Sequence, residues 1–243
     1  MPSVGIVGIG ADPEFIFSQD GEKVSAADFL QFSSDFGCDG HNATAELRPK
    51  YAKSSVGLTA NIKTLIRDGL FKVEGVRNLD FLSGHYKHDE PIGGHIHLSF
   101  DTGKMIDLEE LGRHLDLTME TLSDCIDDLD ERSERRSDGY GSGWRLDHGP
   151  RYIEYRAPGS WLLSPQVTFI NLWLAEATAI AYTNKQRRPF EVMRELGKCA
   201  GILAFAQGVK GVPDKEIFLK AADKVFGHLP LSWEEDFKKN WGC

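Results

Sequence analysis

From Gly149 to Pro165 the chain reads GPRYIEYRAPGSWLLSP, and this stretch narrows the possible folds more than any other. Side chains two apart share a face of a strand, so Tyr152, Glu154 and Arg156 point one way while Ile153 and Tyr155 point the other. One face carries chemistry and the other packs. Ala157-Pro158-Gly159 ends the strand, because Pro brings no ladder donor and Gly accepts a tight turn. Ser164-Pro165 is an N-cap followed by a first helical residue. Val167 to Tyr182 is then apolar almost all round, which predicts a buried helix behind the strand. An ordinary Glu/Arg ion pair on a solvated face would carry the same letters, so the segment gains meaning only from others like it.

Three earlier segments show the same two-residue alternation. Val4 to Ile9 is a short Gly-rich apolar strand, and GIVGIGADP invites a dinucleotide-loop reading. That reading fails because Pro13 and the alternation Asp12-Pro13-Glu14-Phe15-Ile16-Phe17 predict a second strand where the loop needs a helix. Asp12 and Glu14 share one face of this strand, and Phe15 and Phe17 the other; Gln19-Asp20-Gly21-Glu22 is a hairpin turn. In FGCDGHNATAELRP, Thr44, Glu46 and Arg48 share a face, with Asp39 across a Gly-rich turn. In GGHIHLSF, His95, His97 and Ser99 fall opposite Ile96, Leu98 and Phe100. A lone buried His is usually hydrogen-bonded core, but two at this spacing suit a metal or a phosphate. His85 and His88, in GHYKHDE, are expected at the surface.

The remainder reads as scaffold. The apolar spacing from Val56 to Leu70 predicts a helix. Leu108, Leu111, Leu115, Met119, Leu122, Ile126 and Leu129 step by three and four, predicting one long helix from Asp107, its cap, to about Arg132. Its acids Asp124, Asp127, Asp128 and Asp130 form a solvated face rather than a metal cluster. The following ERSERRSDGYGSGWRLDHG carries Arg135, Arg136 and Arg145 among turn residues, a composition suited to a mobile loop over an anionic ligand. Two further helices are expected at Phe190–Phe205 and Asp214–Phe226. Val209 to Pro213 is the expected boundary between a domain at 1–208 and a helical extension at 209–243, which Trp233 and Trp241 would pack onto the body.

Composition removes several classes. The formal net charge of -9 argues against nucleic acid and anionic membranes as partners, since both need a basic footprint. Cys38, Cys125, Cys199 and Cys243 form no CxxC pair, so neither a zinc knuckle nor a disulfide framework is expected, and the compartment is a reducing one. MPSVGIVGIG lacks the charged start and longer apolar run of a signal peptide, so none is expected. Val167 to Tyr182 is too short for a membrane span and contains Asn171 and Glu176. A cytoplasmic protein is the expectation.

If the four strands adjoin, carboxylates converge with histidine and arginine beside them. Crowded carboxylates need cations to offset their repulsion, and hard oxygen ligands with a His favour Mg2+ or Mn2+. Divalent ions plus arginines suit phosphoryl transfer from a nucleotide.

The ordered set DPEF, DG(x5)ELRP, GGHIHLS, YGSGWR and EYRAPGSWL resembles the phage-encoded carboxylate-amine ligase type 2 proteins. These amidoligases belong to the glutamine synthetase and glutamate-cysteine ligase superfamily. The resemblance covers most of residues 9 to 100 and 132 to 186 and little of the C-terminal tail. It implies an α+β fold with a curved, largely antiparallel sheet and helices packed outside, like the catalytic domain of glutamine synthetase. It also implies ATP with Mg2+ or Mn2+, an acyl-phosphate intermediate, and attack by an amine to form an amide or peptide-like bond. On this resemblance Asp12, Glu14, Asp39, Glu46, His95 and Glu154 are metal ligands. It also makes Arg156 the holder of the transferred phosphate and Ser99 a nucleotide contact; from their own chemistry Arg145 is expected at the phosphate, Arg48 at the carboxylate substrate, and His97, Arg135 and Arg136 at the nucleotide. The expected partners are ATP, a carboxylate and an amine, small molecule or peptide; an oligomer is compatible, and the compartment would be the host cytoplasm if the chain is phage-encoded. A guanidino-kinase-like phosphotransferase, a metal-dependent hydrolase and a non-catalytic binding protein stand as alternatives.

Overall fold

A computed structural model of the chain describes residues 5–30, 35–39, 44–101, 106–146, 149–183 and 237–241. Its sheet is assembled around one long strand, β1 (Gly5–Gln19). Two strands were expected here and one is found: β8 (Gly94–Asp101) pairs with β1 from Gly5 to Pro13, and a register shift between Ile6 and Gly8 absorbs the irregularity without a break. Pro13 is tolerated mid-strand because pairing with β4 (Thr44–Leu47) starts only at Glu14, so the missing N–H forfeits no ladder bond. The expected turn at Asp20-Gly21, both with positive φ, leads into β2 (Glu22–Val24).

The other strands are β3 (Phe36–Cys38), β5 (Asp80–Leu82), β9 (Trp144–Arg145) and β10 (Tyr152–Tyr155), with β6 (Tyr86–Lys87) and β7 (Glu90–Pro91) forming a separate hairpin. Among the described residues the main sheet runs β3-β4-β1-β8-β10-β9, with β2 and β5 also on β1, and every pairing is antiparallel.

One face of this sheet is covered by helices. α1 (Ser55–Thr64) continues as a π turn to Gly69, much as the apolar spacing predicts. α4 (Pro165–Thr183) packs against α1, β1 and β8, and Ser164 Oγ caps it by accepting from Val167 N at 3.2 Å. Val167, Ile170, Leu172, Leu174, Ala175 and Ala179 bury the helix, while Glu176 accepts from Ser55 N at 2.9 Å and thereby helps start α1. The fold is mixed α+β, an antiparallel sheet with helices against it, as expected.

The long helix expected from Asp107 is two helices. α2 (Leu108–Ile126) starts at Asp107, whose side chain accepts from Glu110 N, and buries Leu108, Leu111, Leu115, Met119 and Leu122. It stops at Asp127, and Asp128 caps a new helix, α3 (Leu129–Ser137), by accepting from Asp130 N and Glu131 N. Leu129, counted in the apolar stripe, is exposed. The capping carboxylate wins because it satisfies N–H groups that a continuous helix would have bonded internally. Gly112 leaves room on α2 for the Trp144 ring, whose position a Cβ would occupy, and this seats β9. The last described segment, α5 (Phe237–Trp241), is docked by Trp241, fully buried with Nε1 donating to Leu162 O at 2.8 Å. The helices expected at 190–205 and 214–226, and Trp233, lie outside the described residues.

Candidate functional site

The register brings the polar faces into one row. Glu46 stands opposite Glu14, Asp12 opposite His95, His97 opposite both Gly10 and Glu154, and Glu154 opposite Arg145. Side chains alternate along a strand, so all of these point away from Ile9, Phe15, Ile96, Leu98, Ile153 and Tyr155, which fill the core.

Contacts within the row are dense. His97 Nε2 lies 2.8 Å from Asp12 Oδ1, and His95 Nδ1 lies 3.4 Å from Asp12 Oδ1 and 3.6 Å from Glu154 Oε1. Arg156 Nε is 3.3 Å from Glu154 Oε1. Glu14 Oε2 accepts from Gly93 N at 2.5 Å, and Arg48 forks onto Glu46 with two contacts of 3.0 Å. One ligand atom each from Asp12, His97 and Glu154 lies within 4.8 Å of the other two, the spacing a single cation needs.

The electrostatics are those of crowded acids. Burial opposes ionisation of Asp12, but hydrogen bonds and charge from His95 and His97 outweigh it and hold that carboxyl well below the usual range. Burial pushes Glu14 up despite His95 and the Gly93 N–H. Glu46 rises to about 7 through burial and the repulsion of Asp12, only partly offset by Arg48. Burial disfavours a charged His95, yet its bond to Asp12 and the charges of Asp12 and Glu14 raise its pKa.

Beside the row opens a cleft of ≈ 680 Å³ lined by Glu14, Asp39, His95, Arg135, Arg145 and Arg156, together with Thr44, Glu90, Pro91, Gly93, Asp138 and Tyr140. Arg135 is 2% exposed and its Nε has no partner among the described residues. Burial lowers its pKa to about 10, with Glu14 and Asp127 pulling the other way. Its Nη1 donates to Ala157 O at 2.9 Å and its Nη2 to Arg156 O at 3.4 Å, which fixes the turn after β10. A deeply buried guanidinium that lines a cleft and has one N–H unpaired among the described residues suits an anion.

Not every expected residue faces this cleft. Arg136 lies one position along α3 from Arg135 and so points elsewhere, to Glu120 on α2 at 2.7 Å. Helix geometry separates neighbours by about 100°, which the loop expectation for this segment could not anticipate. Arg48 lies in the row but turns to Glu46 and to Cys38 O rather than into the cleft. Ser99 Oγ donates to Gly8 O at 3.1 Å. Asp39 shares the cleft with Glu14 and Arg145.

Tyr51 belongs to none of the sequence motifs. Its hydroxyl lies 3.3 Å from His97 Nδ1 and 3.5 Å from the Tyr152 hydroxyl, and its ring occupies the space above Gly10, where a Cβ would come within 2.5 Å. The signal was a pair of glycines, Gly8 and Gly10, standing where a side chain would otherwise continue the row. His85 also departs from expectation. It is buried, with Nε2 only 2.6 Å from Asp127 Oδ2, because β6 and α3 pack together over it.

The sequence of residues 9–209 matches the model of the family Phage phiEco32-like COOH.NH2 ligase-type 2. The chain belongs to this family. The span takes in every strand of the row, and the expected enzyme class, a carbon–nitrogen ligase, is that of the ligase-type 2 family. No curated protein sequence matches the chain. Among solved structures, GmaS without ligand is 14% identical, with a TM-score of 0.50 over 99% of this chain and 66% of that one. A bifunctional glutathione synthetase from Pasteurella multocida is 11% identical, with a TM-score of 0.49 over 96% of this chain and 48% of that one. The glutamine synthetase of Plasmodium falciparum is 12% identical, with a TM-score of 0.42 over 73% of this chain and 52% of that one. The likeness to GmaS is one of fold, and the ligase-type 2 chain spans about half to two thirds of the length of the three structures.

Proposed function

We propose that the protein is an ATP-dependent carboxylate–amine ligase that works through an acyl phosphate. The observation that carries this reading is the joining of a row of acids and histidines, drawn from β1, β4, β8 and β10, to a cleft walled by Arg135, Arg145 and Arg156. The donor set fits divalent ions and phosphate: Asp12, His97 and Glu154 would hold one ion, with Glu14, Asp39, Glu46 and His95 around it. Such an ion, when bound, would supply positive charge that offsets the clustered carboxylates and the charge of the transferring phosphoryl group.

The protein's own groups would do the rest. A substrate carboxylate attacks the terminal phosphorus of ATP and ADP leaves; the amine then attacks the acyl carbon, sheds a proton, and phosphate leaves. Arg156, Arg145 and Arg135 bind the oxygens of the transferring group, which carry the developing charge. Glu154 steers Arg156 through their 3.3 Å contact. His97 and Ser99 flank the nucleotide, Arg48 serves the carboxylate substrate from the β4 end, and Arg136 contributes by bracing α3 against Glu120.

We further read residues 1–208 as the ligase domain and 209–243 as an extension packed on it, which the docking of Trp241 supports. No helix among the described residues is long and apolar enough to cross a membrane, and a cytoplasmic setting, the host's for a phage-encoded chain, would supply the ATP. The test is ATP turnover with Mg2+ or Mn2+ against a panel of carboxylates and amines, with products identified by mass spectrometry. An amide with stoichiometric ADP and phosphate is expected. A phosphorylated product without an amide would mark a phosphotransferase, and turnover without nucleotide a hydrolase; either would overturn the proposal.

A further inference from the structure

Behind the turn that closes the cleft lies a second, separate cavity of ≈ 340 Å³. The wall between them is Pro158-Gly159-Ser160, held by Gly94 N donating to Pro158 O at 3.0 Å, a Gly93–Gly159 bridge and Ser160 N donating to Gly84 O at 2.6 Å. Part of the cavity is apolar, formed by Phe81, Pro158, Trp161 and Val167. The rest is polar and poorly satisfied. His85 and Ser160 are 2% and 6% exposed, and both line it. The Nδ1 of His85 and the Oγ of Ser160 have no partner among the described residues. Asp127 Oδ2 lies 2.6 Å from His85 Nε2, but neither atom completes an aligned hydrogen bond. Leaving such groups buried and unmade is unfavourable, a cost a ligand would relieve.

The chemistry of that ligand follows from what is missing. Asp128 already caps α3, and Glu131 already accepts from His85 N, Tyr86 N and Lys87. Asp127 can only accept, His85 Nδ1 accepts when the ring N–H sits on Nε2, the nitrogen that faces Asp127 at 2.6 Å, and Ser160 can do either. The unsatisfied set is therefore rich in acceptors. The lining carries Asp127, Asp128 and Glu131 against Lys87, and even with Arg135 acting on Asp127 from outside it the acids outnumber the bases, so the field favours a cation. We propose that this cavity is a binding site for a small primary amine, its ammonium held by Asp127, His85 and Ser160 and its apolar body against Phe81, Trp161 and Val167. The site is distinct from the cleft, and it does not depend on the ligase reading.

The experiment is calorimetry on the full chain, without nucleotide or metal, using n-butylammonium with butanol and butyrate as matched probes. Saturable one-to-one binding of n-butylammonium is expected, about tenfold or more tighter than butanol, from the charge-assisted bonds an alcohol cannot make. Asp127→Asn and Ser160→Ala should each weaken it several-fold while Glu154→Gln leaves it unchanged; Ser160→Ala carries the comparison alone if Asp127→Asn does not fold. No saturable binding, equal affinity for butanol, or loss of binding on Glu154→Gln but not on Ser160→Ala would overturn the site. Because no nucleotide is present, those results leave the ligase proposal standing, just as absence of ligation would leave this site standing.

Discussion

The two faces of β8 are built for opposite purposes. Ile96, Leu98 and Phe100 point into a core sealed by α2 and α4, where a rare polar pair, Thr118 with Thr178, is hydrogen-bonded at 3.1 Å. His95, His97 and Ser99 share the other face, where burial and the repulsion of Asp12 raise the pKa of Glu46 while the histidines hold Asp12 down. Burying apolar area stabilises the fold by roughly 25 cal/mol per Å², whereas burying like charges opposes it. The same strand thus holds the structure together through Ile96, Leu98 and Phe100 and stores electrostatic tension on the other side, where a bound cation would release it.

Substitutions on the two faces should separate these roles. Glu154→Gln is expected to lower ligase turnover about a hundredfold or more while leaving thermal stability nearly intact; wild-type turnover would remove Glu154 from the site. Leu98→Ala, its neighbour across β8, should do the reverse. A filled core position loses about 2–5 kcal/mol on truncation, read as a lower denaturation midpoint, with turnover per folded molecule preserved. If Leu98→Ala impaired catalysis in fully folded protein, the division between faces would fail.

A smaller effect should appear as pH dependence. The Glu46 carboxyl titrates at about 7 in the fold against an ordinary 4.5. Its folded pKa is raised, so its stabilising contribution is full below about 4.5 and is lost as pH rises through 7. Metal-free protein should therefore be less stable at pH 8 than at pH 5, and Glu46→Gln should recover up to about 2 kcal/mol at pH 8 after allowance for solvent screening. A lower melting temperature for Glu46→Gln than for wild type at pH 8 would reverse that account. The smallest effect belongs to Arg136→Ala. Its pair with Glu120 is largely exposed, so a change within about 0.5 kcal/mol and near-normal turnover are expected; a large loss of turnover would put Arg136 back in the cleft.

Much of this site was legible before any coordinates. Period-two alternation at Asp12/Glu14, Glu46/Arg48, His95/His97 and Glu154/Arg156 assigns each side chain to a face, and α+β packing follows from the apolar run after Ser164. The capping residues Asp107 and Ser164 were also readable, because a cap is a local hydrogen bond. The failures share a cause. Asp127-Asp128 splits the expected long helix, Arg135 and Arg136 part company, and His85 is buried beneath α3; each depends on which distant element lies alongside. Tyr51 belongs with these, since it fills a space left by Gly8 and Gly10, far earlier in the chain.

The sequence by itself determined the faces, the helix starts and the inventory of acids, histidines and arginines, because alternation and capping act over a few residues. Only the tertiary structure decided the register that sets Asp12 against His95 and Glu154 against His97, the turn of Arg135 into the cleft, and the second cavity behind Ser160. Those depend on contacts between distant segments, Asp12 and His97 for example lying 85 residues apart, where packing and burial rather than local geometry choose the partner.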